Sequence, residues 1–380
     1  MSRIIKKSLR IMLLIIIGIL LILLIGGALF MNFSPQFGGK PSQEAIIRYE
    51  KIEYYKDGVF ENQIPTSMDM DAAKMLSTMV DFIKGVPNSR PNFDIPFQRI
   101  DSLEICEWTD TTSLIWFGHS AFLLKMDDKN ILIDPMFGDV PAPHPWLGKK
   151  RYSNGLPIEV EKLPAIDAII FSHDHYDHLD YGSIQKLKDK TAQFYVPLGV
   201  GAHLLEWGVP AEKIHEMAWW EENNLAGIKL AFTPARHFSG RGFGDRFSTL
   251  WGSWVLIGAK HRVYFSGDGG YGPHFKEIGD KYGPFDFAMI ECGQYNENWK
   301  DIHMMPEESA QAAQDIDAKM MMPIHWGAFT LALHSWTDPV ERVSAAADKL
   351  KLPYIIPQIG EVISLDSGIE IEQSEWWVEE

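Results

Sequence analysis

Apolar positions along this chain fall into distinct regimes. From Ile11 to Met31, 21 residues run without a charge. As a helix at about 1.5 Å per residue, such a run spans the roughly 30 Å hydrocarbon layer of a bilayer. It predicts a transmembrane helix. A cleaved signal peptide is the rival, but Leu29, Phe30 and Met31 continue the apolar run past the small residues Gly26-Gly27-Ala28. Residues Asn32 to Ser42, rich in Gly, Pro and Ser, then predict a short tether. Between Thr66 and Gly85, the positions Met68, Met75, Leu76, Met79, Val80, Phe82 and Ile83 recur at helical spacing. We expect an amphipathic helix with its Met-rich face packed inward, an adaptable surface for acyl chains or membrane being the alternative.

From Ser113 onward the pattern changes to short apolar runs separated by turns. Leu114 to Phe117, Ala121 to Leu124 and Asn130 to Ile133 predict a meander of strands, and Asp167 to Phe171 and Phe194 to Val196 add two more. A second set follows: Lys229 to Phe232, Thr249 to Ile257, Arg262 to Phe265, Phe285 to Ile290 and Met320 to Met322. Helical patterns fall between them at Tyr181 to Lys188, His274 to Tyr282, Pro306 to Ile316 and Pro339 to Leu350. Strands and helices thus alternate in two halves, which predicts an α/β (α+β) architecture of sheets covered outside by helices.

Charge and composition narrow the function. The formal net charge is −16; Arg3, Lys6, Lys7 and Arg10 precede the apolar run, so the rest of the chain carries −20. That acidic body argues against nucleic-acid binding. The four basic residues favour a cytoplasmic amino terminus, which places residues 35 to 380 outside the cytoplasm on a single-pass anchor. Only Cys106 and Cys292 are present, too few for a disulfide framework, and both are expected to be ordinary buried thiols. The expected organisation is a basic stub and anchor over 1–34, a tether and helical extension over 35–100, and a catalytic domain over 101–380. The pairs Trp219-Trp220 and Trp376-Trp377 are expected to serve packing.

Candidate chemistry concentrates after the strand-like run Asp167 to Phe171, where His173, His175, Asp177 and His178 supply four potential ligands in six residues. In extended chain, His173 and His175 project to one side, and a strand end is a rigid mount. Crowded imidazoles and carboxylates need a cation to compensate them, and two adjacent metals suit this density. Nitrogen and oxygen donors suit zinc, with manganese or iron also compatible. Three later residues begin loops after strand-like runs: His237, Asp268 in Ser266-Gly-Asp-Gly-Gly, and His325.

This constellation resembles the metallo-β-lactamase superfamily, whose fold is an αββα sandwich. In Trp116-Phe-Gly-His-Ser120, Leu132-Ile-Asp-Pro-Met136, Leu163 to Asp180, Pro234-Ala-Arg-His237, Ser266 to Tyr271 and Ile324 to Phe329, it is similar to the N-acyl-phosphatidylethanolamine-hydrolysing phospholipase D group and its bacterial relatives. The resemblance implies one zinc on His173, His175 and His237, a second on Asp177, His178 and His325, and Asp268 bridging. It also implies that His303 stands free in the site to bind substrate or donate a proton, while His119 and Asp134 orient ligands or metal-bound water. Asp177, Asp268 and His303 would then carry the catalysis. The amino-terminal anchor is a departure from the mammalian enzymes, and residues 35–100 hold no match to their lipid-binding determinants.

The implied reaction is hydrolysis by a metal-bridging hydroxide, most simply of a phosphodiester in a membrane lipid such as an N-acyl-phosphatidylethanolamine. Hydrolysis of a small soluble substrate by the same site, as a lactonase or amidase, is the first alternative. A non-catalytic, metal-dependent scaffold or sensor is the second.

Overall fold

The computed structural model describes residues 3–67, 71–366 and 375–378. Helix α1 runs over Arg3–Phe33, and its apolar stretch Ile5–Phe33 has a mean hydropathy of 3.2 with none of it buried in the protein. At about 1.5 Å per residue its 31 residues reach roughly 45 Å, more than a bilayer core requires. The helix therefore fits a membrane anchor. The expected tether is docked: after α1, Pro35–Phe37 forms a 3-10 turn whose Pro35 carbonyl accepts from Trp207 Nε1 at 2.6 Å.

Helix α2 (Gln43–Tyr49) and a small hairpin of β1 (Tyr55–Lys56) and β2 (Val59–Phe60) follow. Helix α3 occupies Ala72–Lys84, with Asp71 capping its start by accepting from Lys74 N. The expected Met-rich helix thus exists, but its face does not pack inward: Met75, Leu76, Met79 and Ile83 are exposed. Met68 lies outside the described residues. Helical periodicity identifies an apolar face without saying what covers it.

Helix α4 (Ser102–Glu107) leads into a seven-stranded sheet. Its members are β3 (Thr112–Trp116), β4 (Phe122–Met126), β5 (Lys129–Ile133), β6 (Ile166–Ile170), β7 (Thr191–Pro197), β8 (Ile214–Met217) and, beside β3, the late strand Val362–Ser364. The order from that late strand is β3-β4-β5-β6-β7-β8, antiparallel as far as β5 and parallel from β5 to β8. Helices α5 (Tyr181–Leu187) and α6 (Gly201–Glu206) connect its parallel strands.

The six-stranded sheet contains β9 (Glu222–Leu225), β10 (Ile228–Thr233), β11 (Ser253–Ile257), β12 (Arg262–Phe265), β13 (Phe287–Glu291) and β14 (Met321–Ile324) in consecutive order. It is antiparallel up to β12 and parallel beyond. Helices α7 (His274–Tyr282), α8 (Pro306–Asp315) and α9 (Asp338–Leu350) alternate with its last strands. The late strand Val362–Ser364 is β15. Strand β11 begins at Ser253, later than its apolar run suggests, because Gly252 N donates to Ser172 O instead of pairing with β10.

Strand alternation sorts the core into layers. Leu114, Phe122, Leu124, Ile131 and Ile170 from the first sheet join Leu230, Phe232, Trp254 and Leu256 from the second in one buried cluster. The intervening residues Ile115, Leu123, Leu132 and Ile169 face the other way, onto Ile184 and Leu187 of α5 and Leu204 of α6. The result is the αββα sandwich. Trp376 packs on Trp116 and Trp326 at 6.1 and 5.3 Å between ring centres, fixing the segment 375–378 to this core. Cys292 is buried, whereas Cys106 is exposed on α4, contrary to expectation.

Candidate metal centre

All seven predicted ligands meet at one edge of the sandwich. Strands β10, β12, β13 and β14 run in one direction, as do β3, β5 and β6. The loops after their carboxyl ends carry His237, Asp268, His325, His119, Asp134 and the segment His173 to His178. Donor atoms of His173, His175, His237 and Asp268 lie within 4.8 Å of one another, and so do those of His119, Asp177, His178 and His325. Asp268 sits between the two groups, with Oδ2 3.0 Å from His178 Nε2 and Oδ1 3.0 Å from His325 Nδ1.

His173, His178 and His237 are each aimed by a partner outside the ligand set. Asp134, wholly buried after β5, accepts from Ser172 N at 2.7 Å and from the Ser172 hydroxyl, and its Oδ2 lies 2.7 Å from His178 Nδ1. The Ser172 hydroxyl donates to Asp134, so at 2.9 Å it accepts from His173 Nδ1–H, which leaves His173 Nε2 as a lone pair. His237 Nδ1 donates to the Ile302 carbonyl at 2.8 Å, which makes His237 Nε2 a lone pair as well. Asn62, from the amino-terminal extension, pins the same residue by bonding both its backbone N and O. His119, held at φ +57°, places Nε2 2.8 Å from Asp177 Oδ2. In the Ser-Gly-Asp loop, Gly267 has φ +58° and a Cβ there would lie 2.6 Å from Gly252 O and 2.8 Å from Ser172 Cβ. Only glycine lets Asp268 approach the β6 loop this closely.

Sequence reasoning missed Glu291, the last residue of β13. It is fully buried, bonds Gly269 N through Oε2, and meets His303 Nδ1 through Oε1. A lone acid closing the apolar run Phe287–Glu291 was the available signal. Asp174, inside the motif, turns away from the ligands and binds Thr249 Oγ1 and Gly240 N, each at 2.8 Å. A cavity of about 310 Å³ opens onto the cluster, lined by His175, Asp177, Asp268, His303 and His325 and walled by Phe82, Phe238 and Trp299.

Residues 129–326 match the family described as the β-lactamase superfamily domain, a little over half of the chain. The chain belongs to the β-lactamase superfamily. It is 39% identical over 338 residues to an uncharacterized protein of Mycobacterium tuberculosis, covering 86% of this chain and 88% of that one. It is 31% identical over 264 residues to N-acyl-phosphatidylethanolamine-hydrolyzing phospholipase D 1 of Caenorhabditis elegans, covering 65% of this chain and 74% of the relative. Among solved structures, an isothiocyanate hydrolase from Delia radicum gut bacteria superposes with a TM-score of 0.53 at 20% identity, covering 66% of this chain and 98% of that chain. That likeness concerns the fold.

The electrostatics of this superfamily member fit a cation. His173 Nε2 and His237 Nε2, both lone pairs, face the same His175 Nδ1 at 2.8 and 3.3 Å, and a single N–H there can satisfy only one of them. His119 Nδ1 is buried without a hydrogen-bond partner, and Asp268 Oδ1 has only the His325 imidazole 3.0 Å away, poorly aligned for a hydrogen bond. Burial, reinforced by neighbouring imidazoles, holds His173, His237 and His325 well below the usual histidine range. Burial also pushes Asp268 up to about 7 against the pull of His178. At His178, burial is outweighed by Asp268, Asp177 and Asp134, which favour a positive charge at this place. Inward lone pairs among carboxylates are the donor set of a metal-dependent hydrolase.

Proposed function

We propose that this chain is a dinuclear zinc phosphodiesterase of phospholipase D type, anchored by α1 and acting on a lipid of the membrane that holds it. The observation that carries the reading is the convergence of seven N/O donors in one cluster, four of which, His175, Asp177, Asp268 and His325, line a cavity together with a further histidine, His303. His173, His175 and His237 would hold one ion and Asp177, His178 and His325 the other, with Asp268 shared. Bound divalent cations supply a Lewis acid and lower the pKa of water. Asp177, Asp268 and His303 are the residues we assign to catalysis.

The rest of the chemistry belongs to side chains. Burial raises Glu291 well above the ordinary carboxylate range and lowers His303, so this hydrogen-bonded pair holds one proton between its two buried groups. His303 is thereby equipped to pass a proton to the leaving alkoxide. Phe82, Phe238 and Trp299 keep water from one side of the cavity and offer apolar contact to a lipid chain. Membrane-lipid specificity is supported by the 31% identity to the nematode phospholipase and by the anchor-like α1. We further propose that the basic stub keeps the amino terminus cytoplasmic, leaving the catalytic domain on the opposite side.

The test is metal analysis of the purified chain, coupled to hydrolysis of N-acyl-phosphatidylethanolamine, other glycerophospholipids and a model diester, with Asp268→Asn in parallel. Two zinc ions per chain and diester cleavage lost in Asp268→Asn are expected. A fully metallated protein that cleaves lactones or amides and no diester would overturn the phosphodiesterase reading.

A further inference from the structure

The junction between anchor and body carries a second observation. Phe30, near the carboxyl end of α1, contacts Trp146 and Phe37, with ring centres 6.0 and 5.5 Å apart. These rings wall an apolar groove of about 510 Å³ that Leu147 and Phe243 complete. Trp146 is 67% exposed and Phe243 is 96% exposed, unusual for large apolar residues on a soluble surface. The groove is continuous with a helix apolar enough to cross a bilayer, and Phe33, the last residue of that helix, is itself exposed.

The junction is held tightly. Gly38 and Gly39 lie directly on α6: a Cβ at Gly38 would sit 2.1 Å from His203 Nδ1, and one at Gly39 2.4 Å from Ala202 O. The guanidinium of Arg241, 3% exposed, donates from Nε to Gln36 O at 2.9 Å and from Nη1 to the carbonyls of Asp174 and Leu179. The two latter carbonyls flank His175, Asp177 and His178. Tyr176, inside the metal-loop motif, stacks under Arg241 at 4.0 Å, contacts Phe37 at 6.4 Å and donates its hydroxyl to Arg241 O. One buried arginine therefore ties the segment leaving the anchor to the loop bearing the ligands.

We propose that the patch formed by Phe30, Phe37, Trp146, Leu147 and Phe243 is a bilayer-docking surface, seated in the interfacial layer of the leaflet from which α1 emerges. Aromatic rings favour that layer, where one side is apolar and the other wet. The Arg241 clamp transmits the seating, so the loop His173 to His178 is held at the membrane surface and its cavity is presented to lipid. This inference rests on retention of α1 as an anchor, which is part of the functional reading above.

The experiment uses the full chain reconstituted in phosphatidylcholine vesicles with Cys106→Ser as background. An environment-sensitive nitrobenzoxadiazole label is placed at Phe243→Cys and, for comparison, at Lys260→Cys, in the β11–β12 turn at the opposite edge of the sandwich. Phe243 labelling should give blue-shifted emission, quenched several-fold more by spin-labelled lipid than by aqueous iodide, with the reverse at Lys260. Equal iodide quenching at both positions on vesicle-bound chain overturns the docking surface alone. Mass analysis of chain recovered from cells that shows α1 removed overturns the anchor and this inference together.

Discussion

Glu291 and His303 are joined by a hydrogen bond between Oε1 and Nδ1 in the floor of the metal cavity, with Glu291 fully buried and also bonded to the amide of Gly269 beside Asp268. The carboxyl group fixes which imidazole nitrogen faces the cavity. Replacing Glu291 with Gln removes the shared proton while keeping the side-chain shape. We expect kcat to fall on the order of 10- to 100-fold, with His303→Ala falling further. Bound metal should be unchanged and the pH–rate profile should move. An unaltered profile in Glu291→Gln would show that the pair is structural.

Asp134 touches no substrate-facing atom, yet it sets the tautomers of both His178 and, through Ser172, His173. Asp134→Asn should therefore weaken metal affinity by about 10- to 100-fold. Chelator competition measures this directly. Equal affinity in variant and parent would mean that the rings orient themselves.

Stripping the metal leaves buried imidazoles and carboxylates facing one another without compensation. Thermal stability should fall on chelation and return with zinc, the gain approaching about 2.7 kcal/mol when the free ion stands at roughly a hundred times Kd. Calorimetry with and without added zinc is the check. An unmoved Tm would count against any tight ion in this cluster.

Arg241 satisfies three backbone carbonyls from two distant segments through one planar fork. Arg241→Ala orphans those acceptors and should destabilise the fold by about 3 kcal/mol. Arg241→Lys should restore little, because an ammonium lacks the fork geometry. Denaturant midpoints at constant m-value report it.

Asp366 joins the end of β15 to the body, accepting from Thr111 N and Oγ1 and lying 2.9 Å from His261 Nε2. The hydrogen bonds from Thr111 hold its carboxyl well below the usual carboxylate range. A depressed folded-state pKa contributes stability above the unfolded value of about 4, and that contribution is lost as pH falls through the folded value. Asp366→Asn should therefore lower Tm at pH 7, and its Tm should converge with the parent's under strong acid. Thermal melts across that range would decide it, and a pH-independent difference would refute the linkage.

What the sequence determined by itself is what depends on neighbours along the chain. An uncharged run of 21 residues must be a long helix with an apolar circumference, and α1 is one. Short apolar runs ended by polar residues marked the positions of β3 to β7 and β10 to β14, with edges off by a few residues, most at β11 where Gly252 bonds Ser172. The dense His173 to His178 segment announced metal chemistry because so many donors in six residues need a cation. Strands β8 and β15 were not legible, because the pairing that makes them strands comes from residues distant in sequence. Nor was β9, because its polar residues Glu222, Asn223 and Asn224 form no apolar run, although they pair with the adjacent β10 across a short turn.

Tertiary structure decided everything that required two distant segments to meet. Packing two sheets face to face brought His119, Asp134, His237, Asp268 and His325 to one edge, where Asp268 stands within 3.0 Å of both His178 and His325. It paired Glu291 with His303, a relation no local pattern encodes, since a single acid ending a strand is silent about its partner. It left the Met-rich face of α3 exposed beside the cavity and turned the expected tether into a docked segment. Periodicity fixes which side of a helix is apolar, but only the packed fold determines whether protein or another medium covers it.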